Sequence, residues 1–300
     1  MTTTLGGRYQ LVRELEPTDT WRVFEALDKQ TGKSVAAKTP SAGSEYDLNT
    51  LLSFQKEGAL LRTFKHPNIV RIHGAFLEGG TCYIIADLLD ARPLSQILDT
   101  EQLSFQRIRT VTRQVASALE YAHQRSIIHC NIRPRNILVG RGDHVKVVDF
   151  GLAGILTDTD AVTTTSGSKR ELPFYVSPEQ IEGLKVDGRT DVYSLGAVLY
   201  HMVTGHPPFM GKDRMSVALA RFSQEPEPPS ATRADIPSDL EALILRALSR
   251  NPKNRFQTAV EMEAALAALA EELPTTARCP SCGNQVRGTA RFCTRCGGAL

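Results

Sequence analysis

Near residue 90 the spacing of apolar residues changes, and that change restricts the chain to a strand-rich part followed by a helical part. Before it, short alternating runs cover Tyr9 to Leu15, Trp21 to Ala26 and Ser34 to Lys38, with turn residues at Lys29-Gln30-Thr31-Gly32. Turn residues between short alternating runs predict antiparallel strands joined by hairpins. Leu51, Leu52, Phe54, Leu60, Leu61 and Phe64 recur at helical spacing and predict one helix over 47–64. Two more strands are expected near Val70 to Phe76 and Cys82 to Ala86. Beyond residue 90 the amphipathic stretches are helical: Ile108 to Arg125, Asp191 to Thr204, Ser238 to Arg250 and Thr258 to Glu272. A run of strands followed by a run of helices is an α+β arrangement. We expect two lobes, with a hinge near residues 87–91.

At 300 residues the chain has room for one two-lobed domain and a small appendage. The cysteines show where the appendage lies. Cys82 and Cys130 fall in the body, whereas Cys279, Cys282, Cys293 and Cys296 crowd the last 22 residues. They form two C-x-x-C-G knuckles, Cys279-Pro280-Ser281-Cys282-Gly283 and Cys293-Thr294-Arg295-Cys296-Gly297. Four thiolates in this pattern suit tetrahedral zinc, and a glycine after each second cysteine lets the chain turn tightly around the metal. The segment resembles small bacterial zinc ribbons. So short a unit has no core of its own and should depend on its metal to fold. The expected boundaries are a body over 9–272 (lobes 9–88 and 92–272), a linker at 273–277 and the ribbon at 278–300. Arg278, Arg287, Arg291 and Arg295 make the ribbon basic. Without an aromatic platform these arginines favour protein docking or a structural role over nucleic-acid binding.

Charge and hydropathy exclude some classes. The formal net charge of +2 gives no electrostatic sign of nucleic acid or membrane as a partner. No apolar run approaches the roughly 20 residues that span a bilayer. The opening residues MTTTLGGRYQ lack the apolar region of a signal peptide. A cytoplasmic location is therefore expected, which disfavours disulfides in the ribbon.

Several ordered landmarks carry a resemblance across residues 9–272. They are Val35-Ala36-Ala37-Lys38, Glu57, His66-Pro67-Asn68-Ile69-Val70, His129 to Leu138, Asp149-Phe150-Gly151, Ser177-Pro178-Glu179, Asp191 to Gly196 and Asn251 to Phe256. In this order they resemble the bacterial serine/threonine protein kinases of the eukaryotic-like type. The resemblance implies a bilobal protein-kinase-like fold with a β-rich N-lobe and a helical C-lobe. It also implies ATP and magnesium as ligands: Lys38 on phosphate, Glu57 paired with Lys38, and Asn136 and Asp149 on the metal. His129, Phe150 and Leu61 match an internal column, and Asp191 a brace for the catalytic-loop backbone.

The chain departs from the family pattern at linked positions. Asn131 stands where the family's H-R-D motif has its aspartate base, and an amide is a far poorer proton acceptor than a carboxylate. Arg133 replaces the catalytic-loop lysine, Leu172 a bracing threonine, and Cys130 the arginine that grips an activation-loop phosphate. Phosphorylation at Thr163, Thr164, Thr165, Ser166 or Ser168 would thus lack its usual cation. In the glycine-rich loop Glu16, Thr18 and Trp21 take the places of the three glycines, and Pro17 removes an amide donor. The expectation is a pseudokinase, a binding or allosteric signalling module with no catalytic base at Asn131, a nucleotide pocket at Lys38, Glu57, Asn136 and Asp149, and a protein partner. The alternatives are a weakly active or atypical serine/threonine kinase, with Asp19 or Glu171 as a stand-in base, and an adaptor that docks nucleic acid or protein through the ribbon.

Overall fold

The computed structural model describes residues 3–15, 21–40, 58–78, 81–150, 173–269, 276–287 and 292–299. Six strands make the first lobe: β1 (Thr4–Leu5), β2 (Tyr9–Glu14), β3 (Trp21–Asp28), β4 (Ser34–Pro40), β5 (Ile72–Glu78) and β6 (Thr81–Asp87). They form one antiparallel sheet in the order β1-β2-β3-β4-β6-β5. Register places Lys38 of β4 between Val23 of β3 and Ile84 of β6. Directly opposed residues project from the same face of a sheet, so these three share one surface. Residues 58–61 are helical, while 47–57 of the expected helix lie outside the described residues.

The second lobe begins with a small sheet of β7 (Ala91–Pro93), β8 (Ile137–Gly140) and β9 (Val145–Val147). Its helices are α1 (Leu94–Leu98), α2 (Phe105–His123), α3 (Pro178–Ile181), α4 (Gly188–Thr204), α5 (Arg214–Ser223), α6 (Pro229–Thr232), α7 (Ser238–Ala247) and α8 (Ala259–Ala268). Helix α4 is buried almost all round, from Thr190 to Tyr200, as a helix apolar on every side must be. A Cβ at Gly196 would meet the Ala247 Cβ at 2.7 Å, so glycine there lets α7 approach α4 closely. Helix α2 starts at Ser104, whose hydroxyl accepts from the Arg107 amide.

Backbone bonds join the lobes beside the cleft. Val70 donates to the Val147 carbonyl at 3.0 Å, and Val147 donates to the Asn68 carbonyl at 2.8 Å. The buried Asn68 amide adds bonds to the Gln114 side chain and the Val145 carbonyl. One apolar cluster runs from Leu61, Phe64 and Ile84 through Val147 and Phe150 to α2, α4, α7 and α8. The α+β, two-lobed expectation agrees with this architecture. The expected strand near Val70 starts two residues later, at Ile72, because Val70 bonds to β9 instead.

Candidate functional site

The loop that carries residue 131 is shaped by one buried carboxylate. Asp191, near the start of α4, accepts from the His129 amide at 2.8 Å and from the Cys130 amide at 2.8 Å. His123, at the end of α2, reaches the same carboxylate through Nε2 at 2.8 Å. Asp191 is fully buried, so these donors are what makes its burial tolerable. Cys130 takes a left-handed φ of 60°, which a side chain disfavours. Its amide on Asp191 and its carbonyl, which accepts from Gln180 Nε2 at 2.8 Å, pin that geometry from two sides.

His129 is fully buried, and its ring centroid lies 4.5 Å from that of Phe150. Its Nδ1 accepts from the Asn131 amide, so Nε2 carries the proton and donates to the Val148 carbonyl at 2.9 Å. Burial holds its pKa below the usual histidine value. His129 is thus a neutral structural histidine, and Leu61, Phe64 and Phe150 complete the column beside it. The Asn131 carbonyl accepts from Asn136 Nδ2 at 2.9 Å. That bond ties Asn131 to the turn Pro134–Asn136, which has Arg133 as its cap residue.

Lys38 and Asp149 meet across the cleft. The ammonium lies 2.6 Å from both carboxylate oxygens, with both side chains largely buried. Asp149 follows β9 in a left-handed conformation (φ 67°), which turns its carboxylate toward β4. Lys38 thus meets Asp149, and Asn136, whose carbonyl accepts from the Val148 amide at 3.0 Å, links the chain just before Asp149 to the residue-131 loop. Hard oxygen donors from Asp149 and Asn136 beside an ammonium suit a magnesium-bound polyphosphate. The expected ion partner of Lys38, Glu57, lies outside the described residues, as do Glu16 to Thr20, the segment from Gly151 through Thr163–Ser168 to Leu172, and the side chain of Trp21.

Sequence reasoning missed how the chain after residue 172 is anchored. Ser177 caps α3 in a reciprocal box with Gln180. Glu179 grips the buried Arg255 through two bonds of 2.7 and 2.8 Å and accepts from the Thr190 hydroxyl. Burial works to raise the Glu179 pKa, but the hydrogen bonds and charge of Arg255 outweigh it and hold the group below its usual range. Arg221 of α5, also buried, donates to the Pro173 carbonyl. Glu179 and Arg255 were each named within a landmark, but their pairing was not foreseen, and Arg221 was not singled out at all.

Tyr175 stacks on His201 of α4, with its hydroxyl 2.7 Å from Nδ1. Burial, then the neighbouring His206, push His201 down to about 4 from 6.5. A histidine depressed in the folded state binds fewer protons there than when unfolded. Its contribution is complete above pH 6.5 and is lost as pH falls from 6.5 toward about 4. Protonated Nδ1 can no longer accept from Tyr175. Thermal midpoints should therefore fall across this window in the parent protein and fall less steeply in His201→Gln. Equal slopes would rule His201 out as the source.

In the ribbon, β10 (Thr276–Arg278) pairs with β11 (Gln285–Arg287), and Phe292 bridges Ala299. The two knuckles repeat one geometry. The amide of Gly283 donates to the Cys279 carbonyl at 2.9 Å, and that of Gly297 to Cys293 at 2.8 Å. Both glycines have φ of 70°, a conformation that favours glycine. The four sulfurs lie within 4.8 Å of one another, with Cys279–Cys296 and Cys282–Cys293 each at 3.6 Å. Four thiolates around zinc at about 2.3 Å stand roughly 3.8 Å apart, so the cluster fits this ion. Backbone amides of Cys296 and Arg295 hold the Cys293 thiol down to about 6, which favours the thiolate that binds metal. Elsewhere, burial pushes the Cys82 thiol up to about 11, as expected of an inert core cysteine.

Comparison with known proteins gives two family matches: the protein kinase domain over residues 19–266 and the zinc-ribbon domain over 278–300. The chain is 36% identical over 267 residues to the serine/threonine-protein kinase PknB of Mycolicibacterium smegmatis, covering 87% of this chain and 43% of the relative. It is 37% identical to PknB of Mycobacterium tuberculosis, with the same coverage. The chain thus spans less than half the length of these curated relatives. Among solved structures, the PknI kinase domain of Mycobacterium tuberculosis superposes with a TM-score of 0.72 at 27% identity, covering 89% of this chain and 97% of that one. No helix among the described residues is long and apolar enough to cross a membrane.

Proposed function

The chain belongs to the protein kinase family, and we propose that it acts as a pseudokinase: a nucleotide-binding signalling module with little phosphoryl transfer. The observation that carries this reading is Asn131, whose amide stands at the base position of a loop otherwise held in shape by Asp191. Removing a general base typically costs about 10²–10⁴ in rate. Lys38, Asp149 and Asn136 would hold ATP and magnesium. The bound nucleotide would supply phosphate oxygens for Lys38 and a metal for the two oxygen donors. The ribbon would hold structural zinc through Cys279, Cys282, Cys293 and Cys296, and the partner would be another protein, met in the cytoplasm.

A second reading, a weakly active or atypical serine/threonine kinase, has the relatives on its side, since those named above are serine/threonine kinases. Radiolabelled phosphate transfer, onto the protein itself and onto generic substrates, separates the two. The pseudokinase reading expects background incorporation from the parent, unchanged by Lys38→Ala. It also expects Asn131→Asp to recover far less than a base supplies, because Arg133 and the substituted Glu16–Trp21 loop remain. Incorporation by the parent that Lys38→Ala abolishes would establish the kinase instead. Nucleotide binding is read separately. ATP with magnesium should raise the melting temperature of the parent by a few degrees and leave Lys38→Ala unmoved. No shift in the parent would refute the nucleotide pocket.

A further inference from the structure

The four ribbon sulfurs are not equivalent. Cys279 and Cys293, which open the knuckles, are each 2% exposed, while Cys282 and Cys296, which close them, lie toward solvent. Each outward sulfur has a buried one 3.6 Å away, and in both cases that partner belongs to the other knuckle: Cys296 beside Cys279, and Cys282 beside Cys293. All four are free of disulfides.

We propose that Cys296 and Cys282 are oxidation sites, and that a peroxide converts the ribbon from a metal-bound to a cross-knuckle disulfide form. This rests on the reading of the cluster as a zinc thiolate site. A metal-bound cysteine is already a thiolate, the form that attacks peroxide. The Cys296 sulfur attacks one oxygen of hydrogen peroxide. The O–O bond breaks, hydroxide leaves, and a sulfenic acid forms. The Cys279 thiolate then attacks the Cys296 sulfur, the S–O bond breaks, and a second hydroxide leaves. Two thiolates have lost two electrons to one peroxide, and a disulfide joins Cys279 to Cys296. Closing the bond shortens the sulfur separation from 3.6 Å to about 2.0 Å. Cys282 and Cys293 would then be the only thiolates left to hold zinc, too few for a closed structural site. A second peroxide consumes Cys282 and Cys293 in the same way. Because both links run between knuckles, the oxidised ribbon keeps its two turns tied together after the metal leaves. Disulfides within each C-x-x-C would separate them.

The experiment uses the full zinc-loaded chain, with metal content measured first, peroxide added, released zinc followed with a chromogenic chelator, and disulfides mapped on unreduced peptides. The expected result is release of one zinc per chain, severalfold faster than without peroxide. Cys279–Cys296 and Cys282–Cys293 should be the products, and a thiol reductant with zinc should restore the starting state. Cys130→Ser should release zinc at the parent rate. Metal retained while free cysteine in the same tube is oxidised would overturn the proposal, as would links confined to Cys279–Cys282 and Cys293–Cys296. A chain that neither contains zinc nor takes it up on titration would instead overturn the zinc reading beneath it, and the proposal with it.

Discussion

Stripping the metal with a strong chelator is expected to unfold residues 278–300 and leave the two-lobed body intact. The only buried apolar residues described in the ribbon are Cys279, Val286 and Cys293, with Cys282 packed against them. That is far too little to offset chain entropy for a segment of this size. Structural zinc in comparable small units contributes about 10–16 kcal/mol of apparent binding free energy, so metal and fold should be lost together. Amide exchange measured by mass spectrometry gives the test. Peptides covering 276–299 should lose protection on chelation, while those from α4 should not change. Cys293→Ser should reproduce the chelated pattern at saturating zinc. Protection that persists in a verified metal-free chain would mean that something other than zinc holds the ribbon.

The second large effect is expected at Glu179. Replacing it with alanine leaves the Arg255 guanidinium, with a side chain at 0% exposure, without its carboxylate. Breaking one side of a buried pair typically costs about 3–5 kcal/mol, because the remaining charge stays out of water. Thr190 loses its acceptor as well. Urea unfolding of the full chain should show a shift of that size in the main transition. Exchanging both Glu179 and Arg255 for methionine should recover much of the loss, since a buried pair replaced by apolar residues of similar volume is often nearly neutral. A single-variant loss below about 1 kcal/mol would show that the Ser249, Arg189 and Arg250 carbonyls, which also accept from Arg255, suffice alone. The depressed Glu179 pKa carries a sign: its contribution is present above 4.5 and disappears as pH falls through the lower folded value.

The parts of this fold that could be read from sequence are those governed by period. Strands β2, β3, β4 and β6 and helices α2, α4, α7 and α8 were expected within a few residues of where they lie, because alternation and helical spacing report which face is buried. The small sheet was not expected. Ala91-Arg92-Pro93 is three residues long, contains a proline, and becomes a strand only because Leu138 and Val139 lie opposite it. Helix α5, ten residues long, was not expected either; it buries Val217, Ala220 and Arg221 and leaves Met215 and Leu219 exposed. At the site, Lys38, Asn136, Asp149 and the four cysteines were named from motif chemistry; the structure pairs Lys38 with Asp149 and sets the four sulfurs within 4.8 Å of one another. The Lys38–Asp149 ion pair was not foreseen, because 111 residues separate its partners and only the tertiary fold makes them neighbours.

Asp191 also bears on how free the chain is in its choice of residue 131. Both hydrogen bonds seen at residue 131 pass through its main chain, one to His129 and one from Asn136, while the loop's path is dictated by the Asp191 carboxylate of α4. Exchanging the side chain at 131 should therefore leave folding almost untouched. A stable fold asks little of the side chain at this position. An aspartate placed there would enter a frame of the same shape, and what decides its effect on chemistry is the company it finds there.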